Sequence, residues 1–535
     1  MDVIKNWWNT SSKQEKTVQI IVALMVFTFS TNIANAAISI SWGLAAACIL
    51  YDCYQKKSFS GFRIARETWL GIAVYLGSVL LASLLLGDKP SIHWAFKYVY
   101  WTLPFFLAAY LGKLADIRYA AAAGALLSVA VSSLNVAYLN YLLQHGQKMA
   151  YLNGSPIAGG RIGAFLSYPT HYALLLACTF PLFLCFYTDK KLRANPLTAI
   201  FSFAVTVLGL WSLWKTGSRG GMIGLIAGGL AAFAMFCYFQ KEGTLFRNGL
   251  TVGVAVVAVV LLTGIQGGNR TYGDLARVRM WKASYAMWQD HKLMGVGLDN
   301  WQKEYATHYI LKNEIRKEVR QRYLDWKKEE AQKAAAAKKA EAVRKAAEQK
   351  KAAAQKAAVA RKAAKQKKTA PKNSPAGKPV GQKTVANKTK PQLTAAQKAA
   401  AAKAAAARKA AAKKEADWLA AQQNAAIKAE SEFDMPHNVI AWFFSTTGII
   451  GGIGYLLFVL YYGRLFYRKL KKNPNEWIVY VGLWSFLAVA IHGLADAGIT
   501  NKEAARLLFL IMGIALNFSY IEEEKQLSES TGNVY

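Results

Sequence analysis

Residues 438–462 read NVIAWFFSTTGIIGGIGYLLFVLYY, twenty-five residues without a charge. As a helix rising 1.5 Å per residue, such a run is longer than the roughly 30 Å hydrocarbon core of a bilayer is thick. A soluble domain has little use for a segment of this kind, so the chain is read as a membrane protein. Immediately before it stands Pro436-His437, a polar entry to an apolar span.

Working outward, apolar runs of spanning length recur near 17–31, 35–52, 69–86, 94–111, 119–142, 169–187, 197–214, 221–238, 248–265, 476–494 and 504–520. With 438–462 they predict an all-α polytopic membrane protein of about twelve transmembrane helices. The first two runs are short and close, which suits a tight hairpin. Lys5, Lys13 and Lys16 precede the first run without a small-residue cleavage site after it, so that run is expected to stay as an anchor.

Basic residues in short loops set orientation. Lys56, Lys57, Arg63 and Arg66 lie in one loop. Lys190, Lys191 and Arg193 lie in another, and Arg464, Arg468, Lys469, Lys471 and Lys472 in a third. All three fall on one side if twelve spans alternate from a cytoplasmic N-terminus. The segments 143–168, 215–220, 266–436 and 495–503 are then extracytoplasmic. This predicts spans one to nine in 1–265, an extracytoplasmic loop region in 266–437, and spans ten to twelve with a cytoplasmic tail in 438–535. The cysteines at 48, 53, 178, 185 and 237 sit in or beside the runs without metal-ligand spacing and read as packing residues.

The formal charge of +35 is mostly local. Residues 331–414 hold 24 Lys/Arg and only Glu341 and Glu348 as acids. The surrounding insert, 313–430, is rich in Lys and Ala, both good helix formers, and is predicted to form two helices about a Pro/Gly linker at 371–391. With Leu, Ile, Val and Phe nearly absent, its 331–414 stretch cannot build a core. It reads as a tolerated low-complexity expansion, or as an arm for anionic headgroups or acidic polysaccharide. Nucleic acid is disfavoured, since aromatics are not interleaved with the charges.

The polar residues that remain gather at the outer ends of the spans. Arg161 lies in Gly159-Gly160-Arg161-Ile162-Gly163, and Arg219 in Thr216-Gly217-Ser218-Arg219-Gly220-Gly221. A guanidinium is a permanent planar fork suited to phosphate, and the glycines would let backbone approach a ligand. Arg277 and Arg279 follow, with Arg277, Trp281, Tyr285 and Trp288 on one helical face. Such a helix could lie on a membrane surface.

His437 can accept a proton near pH 7, and Asn438 could orient it or hold a substrate hydroxyl. Asp496, near His492 at the end of the eleventh run, is a supporting candidate, because ionisable residues at membrane depth are costly. His171 and His308 are read as structural. Gly295-Val296-Gly297 marks a turn and not a nucleotide loop. No metal motif or cluster of outward carboxylates is found, so neither a metal nor a cofactor is expected.

Together these pieces resemble the O-antigen ligase and polymerase superfamily. The matching residues are Arg161 with Gly163 and Phe165, Ser218-Arg219-Gly220, Arg277 to Trp281, Gly295-Val296-Gly297, and Pro436-His437-Asn438 followed by Gly448-Ile449-Ile450-Gly451. The resemblance implies a GT-C-like fold with a large extracytoplasmic loop between spans nine and ten. It implies metal-independent, inverting glycosyl transfer at the periplasmic face of the bacterial inner membrane. The donor would be a polysaccharide on undecaprenyl diphosphate and the acceptor a lipid A–core sugar.

By the same resemblance Arg219 and Arg277 hold the diphosphate, with Arg161 and Arg279 as further cations, and His437 activates the acceptor hydroxyl. The ligase is preferred. An O-antigen polymerase, a protein O-oligosaccharyltransferase and a polytopic transporter follow in that order. Against the transporter, the first six runs are not repeated in the last six. The insert departs from the compact loop usual in such proteins.

Overall fold

The computed structural model describes residues 11–58, 64–145, 161–166, 168–245, 247–249, 251, 271–366, 395–496 and 498–532. The ninth expected span, 248–265, lies almost wholly outside them. Among the described residues the long helices are α1 (Lys13–Thr31), α2 (Asn35–Lys56), α3 (Arg66–Leu86), α4 (Lys89–Leu114), α5 (Arg118–Gln144), α6 (Pro169–Thr188, with a 3-10 turn inside), α7 (Pro196–Thr216) and α8 (Arg219–Gln240). They continue as α9 (Thr271–Asp290), α10 (Lys312–Gln366), α11 (Ala395–Ser431), α12 (Val439–Lys472), α13 (Trp477–His492) and α14 (Lys502–Gly532). Seven of them, α2, α3, α5, α6, α7, α8 and α12, are long and apolar enough to cross a membrane, and α13 is a shorter apolar helix.

Two compact units emerge. One comprises 1–310 and 432–535, the other Leu311–Ser431. In the first unit, large apolar side chains point outward where water would penalise them. On α7, Leu197, Ile200, Phe203 and Leu210 are all exposed, while Ser202 and Ser212 are buried. A helix that turns apolar chains out and hydroxyls in is built for lipid. The most extensive helix pairs are α4 with α14, α8 with α13, α3 with α12, and α1 with α5. Small residues let them close. A methyl group on Gly513 would meet the Phe105 carbonyl oxygen at 2.5 Å, and one on Gly224 the Ala488 carbonyl oxygen at 2.6 Å.

The decisive run is helical, but it is broken at Gly448, whose φ of 61° and ψ of −157° only glycine adopts readily. The break frees backbone groups that lipid could not satisfy. The Gly295-Val296-Gly297 turn satisfies them. Val296 and Gly297 N–H donate to the carbonyls of Ser445 and Thr446 at 2.8 and 2.9 Å, and Ile449 N–H donates to Lys292 at 2.8 Å. Both glycines of the turn have positive φ. From the same turn, Asn300 donates to Asp88, the cap of α4, and Asp299 accepts from Trp94. This junction fixes the entry of α12 against α9 and α4.

The second unit is a helical hairpin, α10 with α11. Gln423 Nε2 donates to the Arg316 carbonyl, Tyr323 packs on Trp418, and Lys327 pairs with Glu415 at 2.8 Å. As α10 numbers rise the α11 numbers fall, so the helices run antiparallel.

Candidate active site

The turn between α7 and α8 forms for local reasons. Gly217 takes a left-handed cap with φ 58°, and Ser218 caps α8 by accepting from Gly221 N–H at 3.2 Å. Arg219 therefore opens α8. The adjoining glycines have a packing purpose that sequence reading did not give them. A methyl on Gly221 would strike Ala173 of α6, and one on Gly220 would lie 3.3 Å from the His492 ring of α13. They admit neighbouring helices.

Arg219 reaches across to the first turn of α9, where its Nη2 donates to both carboxylate oxygens of Asp274 at 2.6 and 2.7 Å. Arg277, one turn further along α9, lies 3.7 Å from Asp274 and 3.9 Å from Asp496. Asp496 in turn accepts from His437 Nδ1 at 2.9 Å. The result is an alternating chain: Arg219, Asp274, Arg277, Asp496, His437. The pairs at its ends are 55 and 59 residues apart in sequence.

His437 is held by backbone and side chain together. Its φ of 51° is left-handed, unusual outside glycine. Pro436 before it accepts from Trp281 Nε1 at 2.9 Å, so α9 grips the loop one turn past Arg277. Phe433 meets the imidazole edge-on at 5.7 Å. Because a carboxylate only accepts, Nδ1 carries the proton, and in the neutral imidazole Nε2 keeps the lone pair. Burial raises the Asp496 pKa, but the His437 hydrogen bond and the charges of His492, His437 and Arg277 outweigh it and hold the carboxyl well below the usual range. An ionised Asp496 fixes this tautomer and would stabilise the imidazolium once a proton is taken.

The other expected residues fall as follows. Asn438 caps α12 through Ala441 N–H at 2.9 Å and donates to the Leu494 carbonyl at 2.8 Å. Its amide ties the His437 and Asp496 segments together, and Asp496, not Asn438, meets the imidazole. Arg161 donates through Nε to the Thr216 carbonyl at 2.8 Å, which straps its loop beside the Arg219 turn. Arg279 is buried at 4 % exposure, on a different side of α9 from Arg277. Trp281 and Trp288 of the same helical face meet Pro436 and Phe444, while Tyr285 is exposed.

Asp274 was missed. Its signal was an acid three residues before Arg277, an ordinary helical spacing. His171 and His492 also belong to this neighbourhood, within electrostatic reach of Asp496 and His437. His492 is fully buried with neither ring nitrogen hydrogen-bonded. Among the described residues no group of three or more His, Cys, Asp or Glu side chains is placed to hold a metal ion.

The arrangement offers a proton acceptor, an anion that orients it, and two guanidiniums linked by a shared carboxylate. Residues 204–323 match the O-antigen ligase family. That match supports a membrane glycosyltransferase of the O-antigen ligase or polymerase type at the level of the superfamily, in keeping with the apolar helices of the first unit. The matched O-antigen ligase segment contains Arg219, Asp274, Arg277 and Arg279, together with the 295–297 turn. His437 and Asp496 lie beyond it and are brought to it by the fold. The comparison with curated proteins gives no match.

Proposed function

We propose that this protein is an O-antigen ligase of the bacterial inner membrane, with its active site facing the periplasm. It moves a polysaccharide from undecaprenyl diphosphate to a lipid A–core sugar hydroxyl. The observation that carries this reading is the continuous link from the oriented His437 imidazole to the Arg219 and Arg277 guanidiniums.

His437 Nε2 takes the proton of the acceptor hydroxyl as its oxygen attacks the anomeric carbon. The bond from that carbon to the diphosphate oxygen breaks, and attack from the opposite face inverts the centre. The negative charge gathering on the leaving diphosphate meets Arg219 and Arg277, an electrostatic role for which preset cations suit better than water. Asp496 stays ionised and steadies the imidazolium until its proton is lost. General-base assistance of this kind contributes about 10²- to 10⁴-fold.

The test is the surface glycolipid profile of a deletion strain carrying wild type or His437→Ala. The expected result is loss of polymer from lipid A–core, with long chains accumulating on the carrier lipid. Single repeat units on the carrier would mark a polymerase instead. An unchanged profile at normal expression would overturn the role of His437.

A further inference from the structure

The hairpin of the second unit is divided along its length. Its base, 312–330 of α10 and 415–431 of α11, has eight basic and eight acidic residues and so no net charge. The cross-helix contacts named above, Arg316 with Gln423, Tyr323 with Trp418 and Lys327 with Glu415, all lie there. Beyond it, 331–366 holds eleven basic and two acidic residues, and 395–414 holds six basic and no acidic ones. The two acids are engaged within α10, Glu341 with Lys345 at 2.8 Å and Glu348 with Arg344 at 3.1 Å. Every side chain in 331–357 and 398–414 is exposed.

The spacing of the charges matters as much as their number. Lys333, Lys338, Arg344, Lys350 and Lys356 follow at intervals of five or six residues. At about 100° per residue each step turns the charge by roughly 140° or 240°. The cations therefore ring the helix. A helix that settles on a bilayer keeps an apolar face to bury and collects its charges on the other, and this one has neither. A planar anionic surface could use only part of the ring, whereas a flexible polyanion can follow it round. The stretch 331–414 contains no Phe, Trp or Tyr, which removes the stacking platforms that single-stranded nucleic acid uses.

We infer that the distal hairpin is a binding arm for an acidic polysaccharide, a glycan chain bearing carboxylate or phosphate groups. The choice of a glycan over other polyanions rests on the proposed transfer function. The base is held in register by charge-balanced contacts, so the arm keeps its helices while the cations engage a mobile chain. Binding of this kind draws on release of small ions and weakens steeply with salt.

The test uses the full-length protein in nanodiscs of zwitterionic lipid, with fluorescein-labelled polygalacturonate as probe. Binding is expected to weaken at least about tenfold between 50 and 500 mM salt. Gln at every Lys and Arg of 333–357 and 398–414 is expected to weaken it by a similar factor. Gln keeps helix propensity, and these side chains touch no core, so the variant should fold. Equal binding by wild type and variant would overturn the inference, as would equal binding of labelled neutral dextran. Tighter binding of oligo(dT) or of phosphatidylglycerol vesicles than of polygalacturonate would overturn it in favour of nucleic acid or membrane. His437→Ala is expected to bind the probe like wild type. If that variant transfers polymer normally while the Gln variant loses the probe, the catalytic reading fails and the arm stands.

Discussion

Two regions of this protein use positive charge in opposite ways. In the first unit, Arg219 and Arg277 are each less than a third exposed and lie against Asp274, with Arg277 also near Asp496. On the distal hairpin, the basic residues of 331–357 and 398–414 are exposed, greatly outnumber acids and are spread around the helix. The second unit carries +22 of the net charge of +35, while Arg219 and Arg277 are part-buried, paired cations at the candidate site. Away from bulk water a charge needs a partner, and the partner fixes its direction. In water a lone lysine is tolerated and acts only in number. Burial of the paired charges, more than charge count, separates the candidate site from the arm, and variants can press on that distinction.

The largest effects are expected where pairing orients a reacting atom. His437→Ala should reduce polymer transfer by about 10³-fold in a purified assay, within the range of general-base loss. Asp496→Asn should reduce it by about 10²-fold or more, because an amide can stabilise the other tautomer and cannot balance an imidazolium. An Asn variant that transfers at the wild-type rate would detach Asp496 from the mechanism.

The same variant has a pH signature. The folded pKa of Asp496 lies below the ordinary carboxylate value. Its ionised form thus contributes stability that is complete above about pH 4 and is lost as pH falls below that value. The melting temperature of the wild type in detergent should fall between pH 5 and pH 3 by more than that of Asp496→Asn. Parallel curves would argue against the depressed carboxyl.

Next come the cations and the junction that positions the site. Arg219→Lys and Arg277→Lys keep the charge and lose the fork, and each should lower transfer by about tenfold to a hundredfold. Lysine at Arg344 or Arg408 of the hairpin removes only an exposed fork, so equal sensitivity in both regions would erase the comparison. Gly448→Ala should destabilise the first unit by about 2–4 kcal/mol, read as a lower melting temperature, since its φ of 61° disfavours a side chain and a methyl would strike the Leu293 carbonyl. An unchanged melting temperature would show that the helix break is not required.

Much of the helical framework was legible because each apolar run announces itself locally. The run 438–462 did not announce its break, since Gly448 is one of several glycines there and only the approach of Lys292 to Gly297 selects it. The arginines and His437 were legible as expensive polar residues at span ends. Their connections were not. Asp274 looks like an ordinary first-turn acid until α8 brings Arg219 to it, and Asp496 meets His437 only because α13 returns beside α12. Asn438 stood next to the histidine in sequence and drew the orienting role by proximity. At the start of a helix, however, an asparagine side chain satisfies backbone N–H first. The glycines at 220 and 221 suggested a ligand cradle because the helices they admit, α13 and α6, are remote in sequence.

The smallest effect tests whether a paired cation can be made to behave like an unpaired one. Asp274 is nearly half exposed and engages Nη2 of Arg219, part of the fork that the proposed diphosphate would use. Both Asp274 contacts are made by Nη2, so a donor phosphate that takes that nitrogen would compete with a carboxylate of like sign. Asp274→Asn removes that competitor and leaves both guanidiniums on their helices. The donor KM is expected to fall by roughly twofold to fivefold with kcat nearly constant, the pattern of a change in ground-state binding. A drop in kcat at constant KM would instead mean that Asp274 holds Arg219 and Arg277 in their working geometry, and the pairing would then serve the transition state itself.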